Sequence, residues 1–267
     1  MDVQAVLVSP KLYALALYYK TKLASHNFTM YNLKTKQVKC YYWHEGEGDV
    51  LANAFASCIR DCLVDVTSSG DILKVTLYSD RCGYQNSNSL LANVLLDYSA
   101  TNNIQIVQKY LERGHTQMEV DSIHSSLILK HRNIYYPGNY VDVFRECRPE
   151  KPYEVKELTY DFFFNFNSIK YVNSIRPGRT TGDPQVHELR MLSYTAEPDP
   201  KIEFKTSFEE ELAPLPQRIQ RPVDRWEIQP LLTSKQPIKK SKYEHLQQLK
   251  KMLQEIYHQF YDDLKFK

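Results

Sequence analysis

Glycine is scarce in this chain, with eight in 267 residues, and the glycine-built signatures are missing with it. No GxxxxGK[ST], GxGxxG or GxSxG occurs, and there is no HExxH. The motif-based case for nucleotide, serine-hydrolase or zinc-protease chemistry therefore falls away. Cysteine is sparse too. The five (Cys40, Cys58, Cys62, Cys82 and Cys147) are odd in number and contain no CxxC pair, which argues against a disulfide framework or a zinc ribbon. A reducing compartment suits that pattern, with Cys58 and Cys62 as small core residues of one amphipathic segment. No run of 18 apolar residues is present and the start does not read as a signal peptide, so a soluble, intracellular protein without a membrane span is expected. Charge of one sign is lacking as well. With 34 basic and 32 acidic residues the net charge is +2, too balanced to argue nucleic-acid binding from electrostatics alone.

What the chain does have is tyrosine, 20 of them, which suits half-buried strands and also surfaces that stack on bases. The apolar opening, residues 1–10, reads as a strand that begins without a polar lead-in and ends at Pro10. Residues 11–24 carry helix formers. Residues 26–33 and 37–43 are period-two segments on either side of KTK, the pattern of an antiparallel hairpin. Three-and-four spacing predicts a helix over 49–66. A strand over 72–78, a helix over 89–99, a strand over 104–110 and a helix over 116–131 come next. The order strand, hairpin, helix, strand, helix, strand, helix is that of an α/β RNase H-like mixed sheet, placed here in residues 1–135. Residues 136–238 form the expected extension. Its Phe/Tyr run at 153–171 suggests further strands, and the seven prolines of 196–237 suggest an arm wrapped on the core. Residues 239–264 read as a C-terminal amphipathic helix, with Leu246, Leu249, Leu253, Ile256 and Phe260 on one stripe. It is expected to dock on the parent domain, with a homodimer seam as the alternative.

Three carboxylate sites stand out. Asp80 ends the strand YSD, where open α/β sheets place functional groups, although Asp also caps loops there. GHTQMEVDSIHS, residues 114–125, offers Thr116 and Glu119 as a capping box. On the same helix Asp121 and His124, three apart, share a face. That face could hold a divalent ion, or His124 could simply be hydrogen-bonded and the carboxylates serve the helix start; Glu119 and Asp121 are both candidates. Asp2 on the first strand would face the same crevice in an RNase H-like sheet. Arg176 and Arg179 in SIRPGRTTG form a basic turn suited to phosphate contact or to a solvated loop.

YSDRCGYQNSN with GHTQMEVDSIHS resembles a transposon-derived domain of insects and other animals, a domain-of-unknown-function family. DVQAVLVSPKL, YYKTKLASHNFTMYN and PIKKSKYEHLQQL…IYHQFYDDL extend the resemblance over nearly the whole chain, and GHTQMEVDSIH is its most distinctive part. The family in turn resembles the DDE-type transposases. That resemblance implies Asp2, Asp80 and Asp121 as the acidic triad, with His115 and His124 associated. It also implies that they hold Mg²⁺ or Mn²⁺ for cleavage and strand transfer at DNA phosphodiesters, in a nuclear protein with DNA as its partner. Two such ions polarise a phosphodiester and activate water or a 3′-hydroxyl. Arg81 and Tyr84 depart from the pattern by standing where smaller residues are usual, and Arg81 could neutralise Asp80. Relatives commonly carry further sequence ahead of the first strand, so a shortened copy is expected. The alternative function is a non-catalytic DNA- or protein-binding module of the same origin, using its aromatic arm and terminal helix.

Overall fold

A computed structural model describes residues 1–12, 20–112, 117–129, 133–196, 198–220 and 226–267. In chain order the elements are β1 (Asp2–Val3), β2 (Leu7–Ser9), β3 (Leu23–Tyr31), β4 (Val38–His44), α1 (Ala52–Thr67), β5 (Lys74–Ser79), α2 (Ser89–Asn102) and β6 (Gln105–Tyr110). Next come α3 (Glu119–Leu129), α4 (Gly138–Glu146), β7 (Glu154–Glu157), β8 (Phe164–Asn165), β9 (Met191–Thr195) and β10 (Lys201–Lys205). β11 (Ala213–Pro214), β12 (Gln229–Pro230), α5 (Lys240–Lys250) and α6 (His258–Asp262) complete them. The class is mixed α/β. The chain divides into two compact units, one made of Met1–Asp49, Gln117–Phe162 and Leu232–Lys267, the other of Val50–Thr116 and Phe163–Leu231.

In the first unit β3 and β4 form the expected hairpin, in register from Tyr31 opposite Val38 to Ser25 opposite His44. Its turn is closed by Asn32, whose Oδ1 accepts from the amides of Lys34 and Thr35, both at 3.0 Å. The opening strand is two pieces, β1 and β2, each antiparallel to β3. On the other side of the hairpin β7 runs parallel to β4. All seven residues of β4 are buried, so both faces of the sheet are covered there. Val38, Cys40 and Tyr42, alternate along the strand, meet Ile123 and Leu127 of α3 and Tyr140, Val141 and Phe144 of α4. The Tyr42 and Phe144 rings meet edge to face, with centroids 5.5 Å apart. This packing seats α3 against the sheet.

Two expectations for this unit are corrected. Of the helix expected over 11–24, residues 13–19 lie outside the described residues, while Leu23 and Ala24 already belong to β3, where Leu23 is fully buried. The helix expected over 239–264 ends at Lys250. Gln254 is extended (φ −63°, ψ 146°), and a 3₁₀ turn at Glu255–Tyr257 leads into α6. The break lets Leu253, Tyr261 and Leu264 join Leu246, Leu249, Leu23 and Ile238 in one cluster. A straight helix would carry them away from it. Ile256, on the expected stripe, is 80% exposed.

The second unit holds a five-stranded sheet in the order β11-β10-β9-β6-β5. β5 and β6 are parallel through the crossover α2, as the sequence pattern predicts. Asn88 caps α2 by accepting from the Leu91 amide at 2.8 Å. Asn103 ends it in the left-handed region at φ 53°. Two further corrections arise here. The first hairpin and the β5/β6 pair belong to separate sheets, because the open side of β4 is taken by β7, and a single RNase H-like sheet over residues 1–135 is not formed. The proline-rich region is also no mere arm. β9 and β10 form a hairpin on β6, and Leu192, Tyr194, Ile202 and Leu215 are core residues of the unit. Among the described residues Pro214 falls on the edge strand β11 and Pro230 on the two-residue strand β12, and the other prolines of the region fall in loops. No described helix is long and apolar enough to cross a membrane.

Candidate metal centre

Strand pairing places the first carboxylate. Asp2 lies opposite Thr29 in the β1/β3 register, and the Gln4 amide donates to the Asn27 carbonyl at 2.9 Å. Asn27 and Thr29, two apart, share a sheet face and are fully buried, with Gln4 nearly so. Most buried polar groups are hydrogen-bonded, and here Asn27 Oδ1 is an exception with no partner among the described residues. Asn27 Nδ2 donates to Gln4 Oε1 and to Thr29 Oγ1, both at 3.1 Å, and Gln4 Nε2 donates to the carbonyl of His124 at 3.2 Å. His124 Nε2 and Thr29 Oγ1 are 3.0 Å apart. Four side chains from the opening segment, β3 and α3 therefore form one connected polar network.

α3 supplies the rest. Asp121 and His124 lie one turn apart on the same face, and Asp121 Oδ2 accepts from the Met118 amide at 2.7 Å at the start of the helix. The capping role and the site role thus meet in one carboxylate. One ligand atom each of Asp2, Asp121 and His124 all lie within 4.8 Å of one another. Donors about 2.0–2.6 Å from one divalent ion lie within roughly 5 Å of each other, so the spacing suits a single cation with oxygen and nitrogen ligands. Burial pushes the His124 pKa down to about 4 against the opposing pull of the Asp121 carboxylate, so at neutral pH the ring is neutral and keeps a lone pair for a metal. Thr29 holds the ring through Nε2, the kind of partner that orients a ligating imidazole. Burial raises the neighbouring Cys40 thiol to about 12, which leaves it a protonated core residue and no thiolate ligand.

The expected site residues divide. Asp2, Asp121 and His124 come together in the first unit, whereas Asp80 belongs to the second. There Asp80 Oδ1 accepts from Asn86 Nδ2 at 3.0 Å, and Asn86 Oδ1 in turn accepts from the Cys82 amide at 3.1 Å, closing the loop after β5. Arg81 lies over the Tyr110 ring, 5.9 Å from its centroid. Glu119 is exposed and outside the cluster, so geometry selects Asp121 between the two. His115, and Thr116 of the expected capping box, lie outside the described residues. Arg176 and Arg179 sit on a turn of the second unit. Sequence reasoning missed Gln4, Asn27 and Thr29. Their signal was polar residues at period two, S-x-N-x-T at 25–29, inside a strand of apolar character. No known protein family, curated protein or solved structure matches this chain.

Proposed function

We propose that the chain is a transposase-derived domain whose metal-dependent phosphodiester chemistry is organised at Asp2, Asp121 and His124. The observation that carries this reading is the convergence of Asp2 from β1 with Asp121 and His124 from α3, within single-ion distance of one another. The transposase resemblance supplies the reaction class. Mg²⁺ or Mn²⁺ held there would act as a Lewis acid on a phosphodiester oxygen and lower the pKa of a coordinated water. The chain's own part is to hold two carboxylates and a neutral imidazole on rigid elements, with Thr29 fixing the imidazole.

The test is Mn²⁺ titration by calorimetry, followed by cleavage of a DNA duplex in Mn²⁺. Wild type binds about one ion and cleaves. Asp121→Asn loses both while keeping its circular dichroism spectrum. A second reading, a non-catalytic DNA- or protein-binding module, draws on Asp80, which is engaged in closing its own loop in the other unit. Mn²⁺ binding with no cleavage by wild type would favour that module. Unchanged Mn²⁺ affinity in Asp121→Asn would remove the centre itself.

A further inference from the structure

The second unit has a cavity of about 450 Å³ lined by Ser174, Arg176, Gly178, Arg179, Pro216, Gln217 and Arg218. Among the described lining residues three are arginines and none is a carboxylate. We infer that this pocket binds a phosphate group, an inference that stands on its own residues and needs no metal at Asp121.

The walls are built to hold the arginines in place. Asp183 accepts from the amides of Arg179 and Thr180, both at 2.8 Å, and from the Thr180 hydroxyl at 2.9 Å. Those bonds lower its pKa, so it stays ionised and locks the turn. Gly178 allows that closure, because a Cβ there would lie 2.0 Å from the Asp183 Cβ. Two further bonds join the turn to the 216–218 segment. Gln217 Nε2 donates to the Arg176 carbonyl at 2.9 Å, and Arg179 Nε donates to the Pro216 carbonyl at 2.5 Å. Arg176 is tied by Nη2 to the Thr180 carbonyl at 2.9 Å. Its Nε is buried and has no acceptor among the described residues.

Each guanidinium has five N–H donors, so fixing one or two leaves a fork for a ligand. Asp183 offsets part of the charge of the three arginines, being coupled electrostatically to Arg176, and the remainder favours an anion; a tetrahedral oxyanion accepts paired N–H donors from such forks. Among the described residues the lining has no aromatic ring for a base and Pro216 as its one apolar side chain, which favours recognition of the phosphate over a base. The phosphate could come from a nucleic-acid backbone or from a free phosphate.

The deciding experiment uses the full chain in EDTA, which silences any metal centre and keeps failure of this inference distinct from failure of the metal reading. Binding of a fluorescein-labelled 20-base-pair duplex is read by anisotropy over a salt series, and inorganic phosphate binding by calorimetry. The variants are Arg176→Gln/Arg179→Gln and, as a single change at an exposed position, Arg218→Gln. A backbone source predicts at least tenfold weaker duplex binding in the double variant, with the salt slope shallower by about one for each phosphate no longer neutralised. Arg218→Gln then shows a smaller loss at an unchanged melting temperature. A free-phosphate source predicts loss of the calorimetric signal in the same variants with duplex binding unaltered. If Arg218→Gln, folded as wild type, and the double variant both match wild type in the two assays, the inference is overturned.

Discussion

A buried imidazole keeps its geometry only through its partners, and in this protein two histidines show the point differently. His124 leans on Thr29, and hydrogen-bond partners of metal-ligating histidines typically contribute 10–100-fold in affinity. Thr29→Val is therefore expected to weaken Mn²⁺ binding by about tenfold, where Asp121→Asn abolishes it. Calorimetry on both variants checks the ranking, and equal affinity in Thr29→Val and wild type would show that the hydroxyl orients nothing. His44 has no place in the metal cluster and reports on stability. Its Nδ1 accepts from the Gly46 amide at 3.1 Å, so the neutral ring carries its proton on Nε2, 3.7 Å from Glu47 Oε1. Burial lowers the His44 pKa to about 4 against the pull of Glu47, with Lys235 and His26 lowering it further and Glu45 raising it. The folded pKa thus lies below the unfolded value, so this contribution is complete above about pH 6.5 and is lost as pH falls toward 4. A shift of this size is worth on the order of 3 kcal/mol. In His44→Asn, whose Oδ1 can still accept from Gly46, the fall in urea midpoint between pH 7 and pH 4.5 should be smaller than in wild type. Parallel curves for the two proteins would rule out His44 as the titrating group.

Elements with a clean period were legible in the sequence. The β3/β4 hairpin, α1, β5, α2 and β6 all appear within a few residues of where apolar spacing puts them. The pairing of Asp121 with His124 was legible for the same reason, since three residues on a helix are neighbours by geometry alone. The break between α5 and α6 was not. Residues 251–254 contain neither glycine nor proline, and the turn exists because Tyr261 must return to the cluster around Leu246. Gln247 Nε2 donates to the Tyr261 carbonyl at 2.9 Å, and the Tyr261 hydroxyl donates to the Tyr135 carbonyl at 2.5 Å, partners that only the folded unit assembles. The alternatives for this segment separate cleanly by mutation. Leu249→Ala removes a fully buried side chain and should destabilise by about 2–5 kcal/mol, read as a lower urea midpoint. Ile256→Lys, at an exposed position, should change stability by less than about 0.5 kcal/mol and leave sedimentation unchanged. A dimer lost on Ile256→Lys would restore the helical seam that the bend argues against.

At the scale of the whole molecule, the first unit is assembled from three stretches that are distant in sequence. That discontinuity is why the division of the chain could not be read from composition. Local periodicity finds β4, and the Phe/Tyr run at 153–171 suggests strands where β7 lies, but neither carries information that they pair, since loop closure over such a span is decided by the packing that rewards it. Asp2 and Asp121 likewise were grouped in the sequence by an expected sheet and a family resemblance, whereas it is the β1/β3 register and the packing of α3 on β4 that bring them together. The C-terminal stretch is tied into the same unit. Leu246, Leu249, Leu253 and Tyr261 pack on Leu23, the first residue of β3, and Thr29 of that strand holds His124. Lys242 also ion-pairs with Glu45, whose carboxylate accepts from the Ala24 amide at 2.8 Å. Ending the chain at Gln236 takes away the six buried side chains Ile238, Leu246, Leu249, Leu253, Tyr261 and Leu264 at once, each worth about 1.5–3 kcal/mol in transfer alone, a sum comparable to the whole stability of a domain. The truncated protein is expected to lose Mn²⁺ binding together with cooperative melting, although none of the proposed ligands Asp2, Asp121 and His124 is deleted. If the shortened chain binds Mn²⁺ with wild-type affinity, the strand that carries Thr29 stands without the C-terminal cluster, and the first unit is smaller than its packing indicates.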